Sequence, residues 1–497
     1  MVAIALRPKD ISDNVSRNFT LQLALREVGR VQDWLQSEEA LKLPLHEIEE
    51  EQERRMREVN RLFLKAHIEA RGIGEVGPAI EVRSTEDSKV SQLHSHLRPH
   101  ERVVKTIFGE IPVERQSYGR DGCESVHPLD EELKLPERSF SYSVQRRLTK
   151  AVVQGPFDEA VERLEESTEL EASKRSAEDL VREASVDFDA FYEERKVTQP
   201  SRDATILVGA VDCKGIPLIK RELPEPQEGE KPYKKKMSTV ATTYNQLPRI
   251  RTPEEVVESL FDETPEENQP RFPGPQNKRV WASLMKSKDE VIREMVVEMS
   301  RRDPWQKKLW AVVSDGERAL KVRLKLYLPP GVPMVLDFLH VLEHLWEAAH
   351  ALHPQGSEEA KQWVRERALR TLRGGVSQVV KGIRQTVTKR GLRGKKKKVL
   401  LDAASYLYRN RKHMKYHVYL RKGLPIASGA VEGACKNLVK DRMERSGMRW
   451  SKETAEAVIK LRAIERSGDW DAYWQFHIQC DQERIHPANR WRAVVEK

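Results

Sequence analysis

Cysteine is scarce in this 497-residue chain, which has four. Cys123, Cys213, Cys435 and Cys480 stand far apart, so no pair has zinc-knuckle spacing, and a few scattered thiols suit a reducing compartment. Long apolar runs are missing as well. No stretch approaches about 18 apolar residues, which gives no candidate membrane span. The opening MVAIALRPKDISDN has too short an apolar run for a secretory signal. A soluble cytoplasmic protein with no membrane partner is expected. Aromatic residues make up 6% of the chain and charged residues 33%, so much of the surface should be solvated helix. The length suits two to four domains and a large core.

One region lacks acid. Residues 361–450 hold 25 Lys and Arg against five acids, a local charge of +20 in a chain whose total is +9. A basic block of this size points to a polyanion, most often nucleic acid; a set of solvated helices is the alternative. Between Asp402 and Glu432 no acid occurs at all. Glu432 is then the one acid in the early part of LPIASGAVEGACKNLVKDRMERSGMRWS, which runs from Leu424 to Ser451.

Residues 20–72 read as helices ending at glycines, and 101–119 as a β-hairpin around Gly109. FDEAVERLEESTELEASKRSAEDLVREAS reads as two helices with Ser173 as N-cap of the second, compatible with helix-turn-helix DNA binding and with any helical hairpin. From Ala204 the texture becomes apolar and β-rich. ATILVGAVDCKG is read as a strand stopping at Asp212, and 235–246 as one or two more strands. An irregular, Pro-rich excursion runs through PGPQNK, with one short helix after Thr252. A long helix should cover Lys288–Arg301. KKLWAVVSDGERAL gives a strand ending at Asp315, and VPMVLDF a short strand to Asp337 with a helix behind it. Alternation of this kind makes an α/β domain. RGLRGKKKK reads as a basic loop.

Functional side chains gather where the strands of an open α/β sheet end. Asp212 and Asp315 are read at strand tips, each followed by a polar, Gly-containing turn. Glu432 is read at the start of a helix with Ser428 as N-cap. Val431, Cys435, Leu438 and Val439 form that helix's apolar stripe, and Lys436 and Lys440 share the other side with Glu432. Three carboxylates make a hard oxygen site suited to two Mg²⁺ or Mn²⁺ ions that would assist phosphoryl transfer. Singly, each acid reads equally as a turn former or a helix-dipole partner.

VDCKGIPL around Asp212, VVSDGERAL around Asp315, PMVLDFLHVLEHLW around Asp337 and LPIASGAVEGACKNLVKDRMERSGMRW around Glu432 resemble the DDE transposases of bacterial insertion sequences. The match is to the ISKra-type family, related to the ISL-type group; it covers residues 120–480, and the tail SKETAEAVIKLRAIERSGDWDAYW is similar too. The resemblance implies a ribonuclease H-like catalytic core with Asp212, Asp315 and Glu432 as catalytic and metal-binding residues. It implies Mg²⁺-dependent cleavage at the element's ends and strand transfer into target DNA. Partners would be double-stranded DNA, as terminal inverted repeats and target, and further copies of the chain in a homodimer or larger oligomer. Localisation would be bacterial cytoplasm at the nucleoid. A transposase-derived protein that only binds DNA is the alternative. Cys213 stands where members often carry Gly.

The expected architecture is multidomain α+β. It comprises a helical N-terminal arm (1–100), a hairpin and helix-turn-helix-like DNA-binding region (101–200), the first part of the core (201–345), a basic helical insertion (346–422), the second part of the core (423–480) and a tail (481–497). Lys436, Lys440, Arg442, Arg445 and Arg449 should face DNA, with Lys395, Lys396, Lys397 and Lys398 in a phosphate-binding loop. Asp337, His340 and Arg318 are possible supports of the active site; the alternatives are strand-end capping by Asp337, packing of His340 and a surface role for Arg318. Trp450 is expected in the core.

Overall fold

A computed structural model describes residues 19–83, 91–197, 200–223, 225, 233–261, 272–427 and 429–494. The chain forms two compact units, residues 1–187 with 471–497, and residues 188–470. The protein is mixed α+β. Among the described residues no helix is long and apolar enough to cross a membrane.

In the first unit the helices Phe19–Leu35 and Leu45–Glu69 pack together. A hairpin pairs His96–Thr106 with Gly109–Gly119, turning at Gly109, whose φ is +116°. A small antiparallel sheet places Ile80–Arg83 between Ser91–His94 and Trp491–Ala493. The helices Tyr142–Gln154, Phe157–Thr168 and Lys174–Glu183 pack on one another, and Ser173 caps the last by accepting from Ser176 N.

The second unit opens with α1 (Phe188–Glu194) and is built on five strands: β1 (Ile206–Pro217), β2 (Lys235–Gln246), β3 (Gln276–Ser283), β4 (Leu309–Ser314) and β5 (Met334–Leu336). Their spatial order is 3-2-1-4-5. β1, β2 and β3 pair antiparallel, while β4 and β5 run parallel to β1. β3 was not foreseen; QNKRVWAS begins inside what reads as a Pro-rich excursion. Short α2 (Pro253–Phe261) lies between β2 and β3. Long α3 (Lys288–Arg302) carries a capping box at Ser287 and Glu290 and packs on β1 and β2. Gly209 lets it approach, since a Cβ there would lie 2.8 Å from Met299 Sδ.

α4 (Arg318–Tyr327) follows β4, and α5 (Phe338–Leu352) follows β5. A helical bundle then intervenes, formed by α6 (Glu358–Leu372), α7 (Val376–Lys389), α8 (Gly394–Asn410) and α9 (Tyr416–Arg421). Two tyrosines tie it to the strand ends: Tyr406 Oη donates to Asp315 O at 2.7 Å and Tyr416 Oη to Leu336 O at 2.8 Å. The chain returns through α10 (Gly429–Ala434), a π-helical stretch at Cys435–Lys440 and a single turn at Asp441–Met443. α11 (Lys452–Ser467) then packs on β3.

Two local expectations are corrected here. β1 does not stop at Asp212; it runs on through Cys213, Lys214 and Gly215 to Pro217 because β2 stays paired along its whole length. The lysines of RGLRGKKKK are not a loop but the first turn of α8, which they enter after Gly394.

Candidate active site

Strand register sets the geometry. Val211 pairs with Ser314, and Ser314 pairs with Leu336. The next residue on each of these three adjacent parallel strands is an aspartate: Asp212, Asp315 and Asp337. Neighbouring strands lie about 4.8 Å apart, so the fold sets three carboxylates side by side. Asp212 sits where β4 ceases to pair with β1, although β1 itself continues.

Each aspartate is held locally. Asp212 Oδ1 accepts from Cys213 N at 2.6 Å, and its Oδ2 from Cys435 Sγ at 3.2 Å. Asp315 Oδ1 accepts from Glu317 N at 2.8 Å across the tight turn at Gly316 (φ +84°). Asp337 is fully buried and caps α5, its Oδ1 accepting from Leu339 N at 2.8 Å. One turn into α5, His340 faces the same region. Its Nδ1 is buried and has no hydrogen-bond partner among the described residues.

α10 brings in Glu432. Asp337, His340 and Glu432 each offer a ligand atom, and these atoms lie within 4.8 Å of one another. Asp212, Asp315 and Glu432, the set expected from sequence, do not form a group that tight among the described residues. They share an electrostatic neighbourhood instead. Burial raises the Glu432 carboxyl above its ordinary range, with Asp337, Glu343 and Asp212 adding to the rise and His340 opposing it. Burial likewise raises Asp315, Asp212 contributes, and the hydrogen bond from Glu317 N opposes it. Carboxylates held against their own repulsion, beside an imidazole nitrogen without a partner, are a donor set that suits a divalent cation.

The basic residues around Glu432 divide. Val431, Cys435, Leu438 and Val439 are buried as the apolar stripe requires, and Lys436, Lys440, Arg445 and Arg449 are exposed. Arg442 is a correction: it is 0% exposed, with its guanidinium 4.7 Å from the centre of the buried Trp450 ring. The cause is helical phase: Arg442 stands three residues after Val439, four after Leu438 and seven after Cys435, so it continues the buried stripe rather than the lysine face. Lys395, Lys396, Lys397, Lys398 and Arg318 are exposed. The proposed cap Ser428 lies outside the described residues.

Sequence reasoning missed Glu343, Cys435 as a partner of Asp212, and Tyr406. Glu343 carried a signal, since Asp337, His340 and Glu343 recur at intervals of three along one helix. The contacts of Cys435 and Tyr406 depend on long-range packing and carried none.

No protein-family model and no curated protein matches the chain. Among solved structures it is similar to the Drosophila P element transposase strand transfer complex, at 11% identity and a TM-score of 0.23, covering 69% of this chain and 81% of that chain. At that score the likeness fixes neither fold nor function for this chain.

Proposed function

We propose that this protein is a DNA transposase of the DDE kind, catalysing metal-dependent phosphoryl transfer at a ribonuclease H-like core. The observation that carries the proposal is the row of Asp212, Asp315 and Asp337 at the ends of paired segments on three adjacent parallel strands, with His340 and Glu432 beside Asp337. The strand order 3-2-1-4-5, with three antiparallel strands followed by two parallel ones, agrees with a ribonuclease H-like arrangement.

Asp212, Asp315 and Glu432 would hold divalent ions, with Asp337 and His340 beside them. Mg²⁺ or Mn²⁺, two ions in the full site, would supply charge neutralisation and Lewis acidity at the scissile phosphate. The chain's residues have distinct tasks. Cys213 N and Cys435 Sγ orient the carboxylate of Asp212, and Glu317 N holds Oδ1 of Asp315. His340 opposes the carboxylate repulsion. Exposed Lys436, Lys440, Arg445 and Arg449 would hold DNA beside the carboxylates. The exposed lysines at the start of α8 would add affinity without sequence choice. In the full reaction, water would cut at the element's end and the released 3′-hydroxyl would attack target DNA. A dimer would pair two ends.

A protein that only binds DNA is the second reading, favoured by the looser placement of Asp212 and Asp315 relative to Glu432. One experiment separates the two. The terminal repeats are read from the DNA flanking the gene, and duplexes carrying them are incubated with protein and Mg²⁺. Glu432→Ala should abolish cleavage and retain salt-sensitive binding. Cleavage by Glu432→Ala at the wild-type rate sinks the site; binding without cleavage by the wild type supports the second reading.

A further inference from the structure

Away from the carboxylates, the α7–α8 hairpin carries a cleft of about 460 Å³. Val379, Val380, Ile383 and Val387 of α7 turn into the bundle, as do Leu400, Ala403 and Leu407 of α8. That leaves Lys381, Arg384 and Lys389 on the solvent side, lining the cleft with Tyr408, and among the described residues no acid lines it. Between residues 376 and 415 the chain holds 13 Lys and Arg against one acid, Asp402. Such a concentration of like charge opposes folding unless a polyanion relieves it. Tyr408 is 44% exposed although it is a large aromatic residue. The Arg411 guanidinium lies 4.0 Å from its ring centre, and that of Arg384, on the other helix, 5.4 Å. An exposed ring flanked by guanidiniums in an acid-free cleft offers a stacking platform with phosphate ligands around it.

We infer that this cleft binds one nucleotide of single-stranded DNA, its base stacked on Tyr408 and its flanking phosphates held by Lys381, Arg384 and Lys389. The inference rests on the DNA-binding half of the function proposed above. A duplex keeps its bases inside the stack, so an unpaired or extruded base is what reaches Tyr408. The cleft volume falls within the range of about 300–1,000 Å³ usual for small-ligand pockets.

The test uses the full chain carrying Glu432→Gln, in EDTA, so that nothing turns over. Fluorescence anisotropy reads binding to a labelled oligothymidine and, separately, to a duplex. Adding Tyr408→Ala should weaken oligothymidine binding roughly tenfold and leave duplex binding unchanged. Tyr408→Phe should bind like the parent, which separates lost stacking from lost fold. Removing Lys381 and Arg384 together should flatten the salt dependence of single-strand binding by about 1.4 in log–log slope. Undiminished oligothymidine binding by Tyr408→Ala, or equal losses on both DNAs, overturns the inference. Tighter binding of oligouridine than of oligothymidine makes RNA the occupant and overturns it too. A parent that binds DNA normally in a chain with no metal-dependent cleavage would refute the catalytic proposal alone; a parent that binds neither DNA refutes both.

Discussion

Glu432 and Asp315 sit where their charged forms are disfavoured. Burial and neighbouring acids raise both carboxyls, so each binds its proton more tightly folded than unfolded. The folded state then holds more protons, and stability falls as pH rises from the ordinary carboxylate range through the raised folded values. A metal-free protein at neutral pH therefore carries an electrostatic burden at this site. Glu432→Gln in EDTA should melt above the wild type at pH 7.5, with the gap closing toward pH 4, followed by calorimetry. Mg²⁺ should raise the melting temperature of the wild type and move the variant less; a variant that melts lower than the wild type in EDTA at pH 7.5 contradicts the account. Much of this residue scale was legible. Asp315 could be placed from an apolar run and a Gly turn, and Glu432 from its isolation among bases. Arg442 was legible too, since it continues the spacing of the buried stripe after Leu438 and Val439, but its charge favours a surface reading.

At the scale of elements, the π turn after Glu432 is held from outside. Arg462 of α11 is 2% exposed and donates to the carbonyls of Leu438, at 3.0 Å, and Asn437. Burial pushes its guanidinium down to about 10, and it still fixes the backbone that follows Glu432. Arg462→Met would remove both donated bonds, at a cost of roughly 1–3 kcal/mol, measurable by urea unfolding. It should also slow cleavage roughly tenfold to a hundredfold by displacing α10, although it contacts no site carboxylate. Wild-type cleavage by a destabilised Arg462→Met would show that the turn is only structural. The strands ending near Asp315 and Asp337 and the hairpin at Gly109 were readable, since local alternation and turn residues agree there. β1 was read too short at Asp212 because its second half is set by pairing with β2 rather than by its own apolar pattern. The lysines of α8 read as a loop because four like charges in a first turn oppose the helix dipole; the α7–α8 packing overrides that local preference.

For the whole molecule, charge is the governing property. The +20 of residues 361–450 is balanced by −11 spread over the rest of the chain. Duplex binding should therefore weaken steeply with salt. Replacing Lys395, Lys396, Lys397 and Lys398 with Ala should reduce the log–log slope by up to about 3.6 if all four meet phosphates, with no change in the metal requirement for cleavage. A slope identical to the wild type would remove that turn from the DNA contact. The first unit has another property that spans the molecule. Its Ile80–Arg83 strand pairs with Trp491–Ala493, and its Asp187 accepts from Arg484 and contacts His477. Those partners are synthesised only after the whole of residues 188–470. On the ribosome, the strands that carry Asp212, Asp315 and Asp337 thus emerge before the first unit has its last strand. The order of translation makes the earliest part of the chain the last to close.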